Sequence, residues 1–344
     1  MRWPNLEQIE FGDWDAMFTK DFLEDVAKRC PGLKFVFFRP HGVNLQPQDL
    51  VEFFSKLGAL QSVSLSVNRR LLTNDLLLQL SSIQSLTRLE LAVCTRKDNA
   101  FQHVLDHNPT PFSGLRQATL HIKSHAMSAA TQALQNVVGL IVIVQDRGSH
   151  ILNWISRMAS LKFLTVKYLE DVTIDVESLV SLRSLTRLQH LTVEPEDVDG
   201  WIGVEHLTDT DFERLVSGLP DLKWLDLEIG HGLTTSALQS LGKHCLQLHD
   251  LQISGEWNLQ ALVKYQAPLF PALTHLHIGS CERQGIERWA TASQLAGILD
   301  NHAPNLAKFD SRSEDDFSLD VKRAWLAKVG KEYLISYVER MGDV

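Results

Sequence analysis

Leucines and other apolar residues recur along this chain in the spacing L-x-x-L-x-L, with mainly polar residues at the x positions. Clear copies are LQSVSL from Leu60, LTRLEL from Leu86, LKFLTV from Leu161, LQHLTV from Leu188, LKWLDL from Leu222, LHDLQI from Leu248 and LTHLHI from Leu273. Looser copies start at Leu6, Leu33, Leu115, Leu140 and Leu306, giving twelve units whose starts lie 21 to 34 residues apart. Alternation in the second half of each copy predicts a short strand, because successive side chains of a strand point to opposite faces. Between copies, stretches such as DFLEDVAKRC, DLVEFFSKLG, DFERLVSGL and SALQSLGKHC place apolar residues three or four apart, the spacing of one helical face. Thr73, Thr208 and Thr234 stand where N-caps belong, and Thr208 with Asp211 has the spacing of a capping box.

One strand and one helix cannot bury an apolar face alone, so the units must stack. The predicted architecture is an α/β solenoid, a horseshoe with a parallel sheet on its concave face and helices on its convex face. Residues 1–317 form about twelve irregular units. Residues 318–344 form a C-terminal capping helix, because Val321, Trp325, Val329, Tyr333 and Tyr337 recur every fourth position. Leu89, Leu91, Leu225, Leu227, Leu276 and Ile278 are expected in the core. Phe35, Phe37, Val142, Val144 and Phe163 are expected on the opposite, cavity-facing side.

Composition narrows the function classes. The chain has 344 residues, 44% hydrophobic and 22% charged, which suffices for a folded core. With 33 basic and 42 acidic residues the net charge is -9, which speaks against a general polyanion binder and so against nucleic acid as the partner. No apolar run approaches the ~20 residues of a membrane span, and the first residues lack the apolar stretch of a signal peptide. Four dispersed cysteines, Cys30, Cys94, Cys245 and Cys281, suit a reducing compartment, so the expected location is cytoplasmic or nuclear.

Candidate chemistry is sparse. Nucleotide-binding, zinc-protease and nucleophile-elbow motifs are absent from the sequence, and no cofactor or enzymatic activity is expected. His275, His277 and Cys281 lie close in sequence. The rung pattern places the two histidines on the outer face and the cysteine in the following turn, so no metal site is assigned to them. A metal-dependent hydrolase would rest on these histidines alone.

All four cysteines fall on the two cysteine positions of the pattern C-x-x-L-x-x-L-x-L-x-x-C. Cys30 and Cys245 stand three residues before Leu33 and Leu248, and Cys94 and Cys281 eight residues after Leu86 and Leu273. The helix entries LTNDLLLQL, LTDTDFERL and LTTSALQSL match the segment that follows in that pattern. The chain therefore resembles the cysteine-containing leucine-rich repeats of F-box proteins. The resemblance implies a protein-interaction module that holds the target of a Skp/cullin-type ubiquitin ligase. In that family an N-terminal F-box holds the adaptor; here Trp3-Pro4-Asn5-Leu6 leads directly into a strand, so a Skp-type adaptor is expected only where an F-box precedes residue 1. The alternative is an F-box-free repeat scaffold or inhibitor.

A protein target is expected on the concave face and rim of the C-terminal half. The outward positions there are His190, Trp224 and Asp226, Asp250 and Gln252, His275 and His277, and Lys308. Trp201, Trp257 and Trp289 fall in the segments after strands, either as a binding edge or as the packing anchors of those loops.

Overall fold

The computed structural model describes residues 5–12, 19–39, 45–92, 99–282, 291–313 and 315–328. Its contacts divide the chain into two compact units. The first comprises residues 1–188 and 195–202, the second 189–194 and 203–344.

In the first unit the strands β1 (Gln8–Phe11), β2 (Phe35–Phe38), β3 (Ser62–Leu65), β4 (Arg88–Leu91), β5 (Gln117–Ile122), β6 (Gly139–Val144) and β7 (Phe163–Tyr168) pair in chain order, all parallel. Short strands β8 (Val172–Thr173) and β10 (Ile202–Gly203) flank β9 (His190–Pro195) in the chain. In the second unit, β9 pairs with β11 (Trp224–Leu227), β11 with β12 (Asp250–Trp257), β12 with β13 (His275–Cys281) and β13 with β14 (Lys308–Ser311), again parallel. Helices fill most of the intervals, as parallel neighbours require a crossover.

The predicted strand-and-helix alternation is the observed one, and its cause is visible in the burial. Leu89, Leu91, Leu225, Leu227, Leu276 and Ile278 are all buried, as are Leu23 and Val26, Phe212 and Leu215, and Leu238 and Leu241 on the helices. Thr73, Thr208 and Thr234 cap their helices by accepting backbone N–H bonds from Leu76, Asp211 and Ser236. At Thr208 the box is reciprocal: its Oγ1 accepts from the Asp211 N–H at 3.2 Å, and its own backbone N–H donates to Asp211 Oδ2 at 3.3 Å. Thr208→Ala removes one orphan-donor partner of the Asp209–Val216 helix and is expected to cost about 1 kcal/mol. The midpoint of denaturant unfolding reads this loss.

One frame departs from expectation. The unit assigned to Leu140 starts at Val137 instead: Gly139 is registered with Gln117 and Leu140 with Ala118, so Val137, Leu140 and Val142 occupy the three leucine positions. Val142 and Val144, expected outward, are fully buried, and Ile141 is the outward residue at 40% exposure. The cause is the unbroken apolar run from Leu140 to Val144, which erases the alternation that fixes phase. Phe163 does face outward, while Phe35 and Phe37 are half-buried.

Cys30, Cys245 and Cys281 are buried free thiols, and burial pushes Cys245 and Cys281 up to about 12, which leaves them as inert packing groups. Cys94 lies outside the described residues. So do Val329, Tyr333 and Tyr337. The helix Asp316–Lys328 buries Val321 and Trp325.

Candidate protein-binding face

The outward positions of the second unit form a row. Strand register aligns His190 with Trp224, Trp224 with Asp250, Asp250 with His275 and His275 with Lys308. Adjacent strands lie ~4.8 Å apart, so side chains in such a row are neighbours. The His190 and Trp224 rings stack, with centroids 5.0 Å apart and planes 12° from parallel. Asp250 Oδ1 lies 3.1 Å from His275 Nδ1, which Thr274 Oγ1 also approaches at 3.0 Å. Trp224 and Asp250 are half-buried; His275 and Lys308 are exposed. Burial holds His190 below the usual histidine range, against the pull of Asp250, and a neutral imidazole suits the stack on Trp224.

A second row runs through Thr192, Asp226, Gln252, His277 and Asp310. It is deeper than the alternation alone predicts. Asp226 is only 7% exposed, and His277, expected to be exposed, is half-buried, with an Nε2 that finds no hydrogen-bond partner. Desolvation holds His277 below the ordinary histidine value. Burial alone would raise Asp310, but hydrogen bonds and charge from Lys322 and Lys308 outweigh it and hold that carboxyl low.

Asp226 is the electrostatic centre of the face. Desolvation, then the charges of Glu194 and Glu228, push its carboxyl up to about 7, and Arg312 offsets only part of this. Gln252 Nε2 donates to Glu228 Oε1 at 2.7 Å, and Arg312 forms an ion pair with the same oxygen. Glu194, Glu228 and Arg312 were not marked by the repeat pattern. Carrying the strand alternation two residues beyond it, from His190 and Thr192 to Glu194 and from Trp224 and Asp226 to Glu228, would have found both glutamates.

The tryptophans separate. Trp201 belongs to the first unit, is 51% exposed, and its backbone N–H donates to Asp171 Oδ1 at 2.8 Å. Trp257 is no rim residue: it is fully buried, and its Nε1 donates to the Ser254 carbonyl at 2.9 Å. The reason is that β12 does not end with its repeat but continues to Trp257, in phase with inward Leu251 and Ile253, through a register shift between Ile253 and Glu256. Gly255 sits there at φ +91°, and a Cβ on Gly279 would meet the Gly255 backbone oxygen at 2.3 Å, so two glycines permit this close approach. Trp289 lies outside the described residues. Cys281 is buried while His275 is exposed on the outer side of the same strand. Among the described residues, the set of three His, Cys, Asp or Glu side chains with converging ligand atoms is Glu194, Asp226 and Glu228.

No protein-family model and no curated protein matches this sequence. Among solved structures, a chain of the Rad7 and Elc1 complex from yeast is similar at 17% identity, TM-score 0.54, covering 91% of this chain and 77% of that one. An internalin from Listeria monocytogenes is similar at 13% identity and TM-score 0.47, over 86% of this chain and 90% of that one. The plant peptide hormone receptor RGFR1, solved with RGF2, is similar at 14% identity and TM-score 0.46, over 89% and 49%. Repeat pattern, parallel register and the first of these likenesses agree on the fold. The chain has a leucine-rich-repeat fold. Among the described residues of this repeat protein, no helix is long and apolar enough to cross a membrane.

Proposed function

We propose that the outward face of the second unit is a protein-recognition surface. The observation that carries this reading is the row His190, Trp224, Asp250, His275 and Lys308, in register on parallel strands, with an aromatic stack beside charged groups. A half-buried tryptophan held by a stacked ring combines apolar area with little ordering cost on binding, and charged neighbours supply direction. The target contacts Trp224 and His275 first, with Lys308, Asp250 and Gln252 as polar surroundings. The cysteine-type repeat signature favours the finer reading, in which the chain is the target-recognition part of an F-box type, Skp/cullin ubiquitin-ligase receptor and works without enzymatic activity of its own in cytoplasm or nucleus. The likeness to a chain solved in a protein complex, Rad7 with Elc1, agrees with a protein-binding role. An F-box-free scaffold would use the same face.

The test is affinity capture from a lysate by the parent and by a Trp224→Ala, His275→Ala double variant with a matching melting curve. A target captured by the parent is expected to be lost by the variant, with a binding deficit of at least ~2 kcal/mol once it is purified. Equal capture of every protein by both would place recognition elsewhere. With the full-length gene product as bait, a cullin and its adaptor are expected alongside the target. A target that depends on the face without them selects the scaffold.

A further inference from the structure

Beneath the recognition row lies a group of atoms that binding through Trp224 and His275 does not use. Glu194 leaves the sheet from β9 and Asp226 from β11, and Glu228 directly follows β11; each stands two residues beyond an outward neighbour in the chain. One carboxylate oxygen from each converges so that all three lie within 4.8 Å of one another. Asp226 is 7% exposed, and its Oδ1 is buried without a hydrogen-bond donor. A buried carboxylate oxygen that accepts nothing costs free energy unless a cation or a proton completes it. Arg312 pairs with Glu228 Oε1, the oxygen that also accepts from Gln252; Glu228 Oε2 stands outside those two bonds. Neither bond reaches the buried Asp226 oxygen, which is the atom a cation would complete.

The donor set selects among cations. Calcium takes six to eight oxygens at about 2.3–2.6 Å in flexible geometry, whereas magnesium at about 2.1 Å demands a near-ideal octahedron. Three converging protein carboxylates suit the larger, geometrically tolerant ion, because magnesium usually keeps several waters and takes only one or two carboxylates. We propose that Glu194, Asp226 and Glu228 bind a single divalent cation of calcium size on the outward face of the second unit, with water filling the remaining positions. Asp226 is the inner ligand, Glu194 and Glu228 close the site from the half-buried side, and Arg312 competes with the ion for Glu228. Occupied, the site would hold β9 and β11 together directly beside the His190–Trp224 stack.

The experiment uses the whole chain, residues 1–344, freed of metal with a chelator and titrated calorimetrically with calcium, magnesium and manganese salts in separate runs. One calcium per chain is expected, with magnesium at least tenfold weaker. Asp226→Asn is expected to weaken calcium binding a hundredfold or more, and Glu194→Gln, at the less buried edge, at least tenfold. Arg312→Gln removes the competing guanidinium and is expected to tighten binding several-fold, a gain that a purely structural role for these residues would not produce. In parallel, calcium is expected to raise the melting temperature of the parent but not of Asp226→Asn. Absence of calcium binding by both the parent and Arg312→Gln at millimolar ion overturns the proposal. So does a parental isotherm that survives unchanged in Glu194→Gln and Asp226→Asn. These readouts do not involve a protein target, so they stand or fall separately from recognition at Trp224.

Discussion

Trp257→Ala is expected to destabilise the protein by about 3–5 kcal/mol, the range of a buried tryptophan truncation. Trp257 is fully buried and registered against Cys281 across β12 and β13. Two donors converge on one carbonyl there: Trp257 Nε1 at 2.9 Å and His231 Nε2 at 3.1 Å, both on the oxygen of Ser254. His231 Nδ1 accepts from the Leu233 N–H, which leaves the proton on Nε2, and burial holds that ring below the usual histidine range, in keeping with a neutral donor. Truncation would therefore open a large cavity and remove one of two bonds that fix the bulge at Gly255. Denaturant titration of parent and variant measures the loss. A rim tryptophan would give a small change, within about 0.5 kcal/mol, because surface substitutions generally do. The same experiment on Trp201→Ala, at an exposed site, provides that contrast within one protein.

How far the sequence was legible depended on whether polar residues marked the phase. In LKWLDL and LTHLHI, every outward position is polar or aromatic amid aliphatic residues, so both the burial of Leu225, Leu227, Leu276 and Ile278 and the rung alignment of Trp224 with His275 through Asp250 follow from the letters. In GLIVIV nothing polar breaks the run, both phases look alike, and the frame read from Leu140 was displaced by three residues from the true start at Val137. Trp257 was ambiguous for another reason. A repeat motif says where a strand begins but not where it ends, and β12 continues past its motif because two glycines allow the backbones of Gly255 and Gly279 to meet. Glu194 and Glu228 escaped for the same reason, since they lie just past the motif. Their effect on Asp226 is a property of depth and mutual distance, which alternation does not encode.

Asp226→Asn, measured in chelator, is expected to stabilise the protein above neutral pH. The folded state holds this carboxyl at about 7, against ~3.9 for an unperturbed aspartate. A raised acid pKa means that the folded state binds the proton more tightly than the unfolded one. The associated stability is complete below about pH 4 and is lost as the pH rises toward 7, where the charged carboxylate must be kept in its buried position. Every tenfold difference in proton affinity between the two states is worth about 1.4 kcal/mol, so the full penalty is on the order of 4 kcal/mol. Desolvation is the largest cause of the sign; Glu194 and Glu228 add repulsion, and Arg312, already paired with Glu228, compensates incompletely. Asparagine keeps the shape and cannot ionise, so its advantage over the parent should be small at pH 4, grow through pH 5 and 6, and level off above about 7. Unfolding midpoints of both proteins across that range give the curve directly. A pH-independent difference would mean that Asp226 is solvated or paired. Saturating calcium should reverse the order above pH 7, because the ion stabilises only the protein that retains its inner carboxylate, by an amount that grows with the logarithm of ion concentration over the dissociation constant.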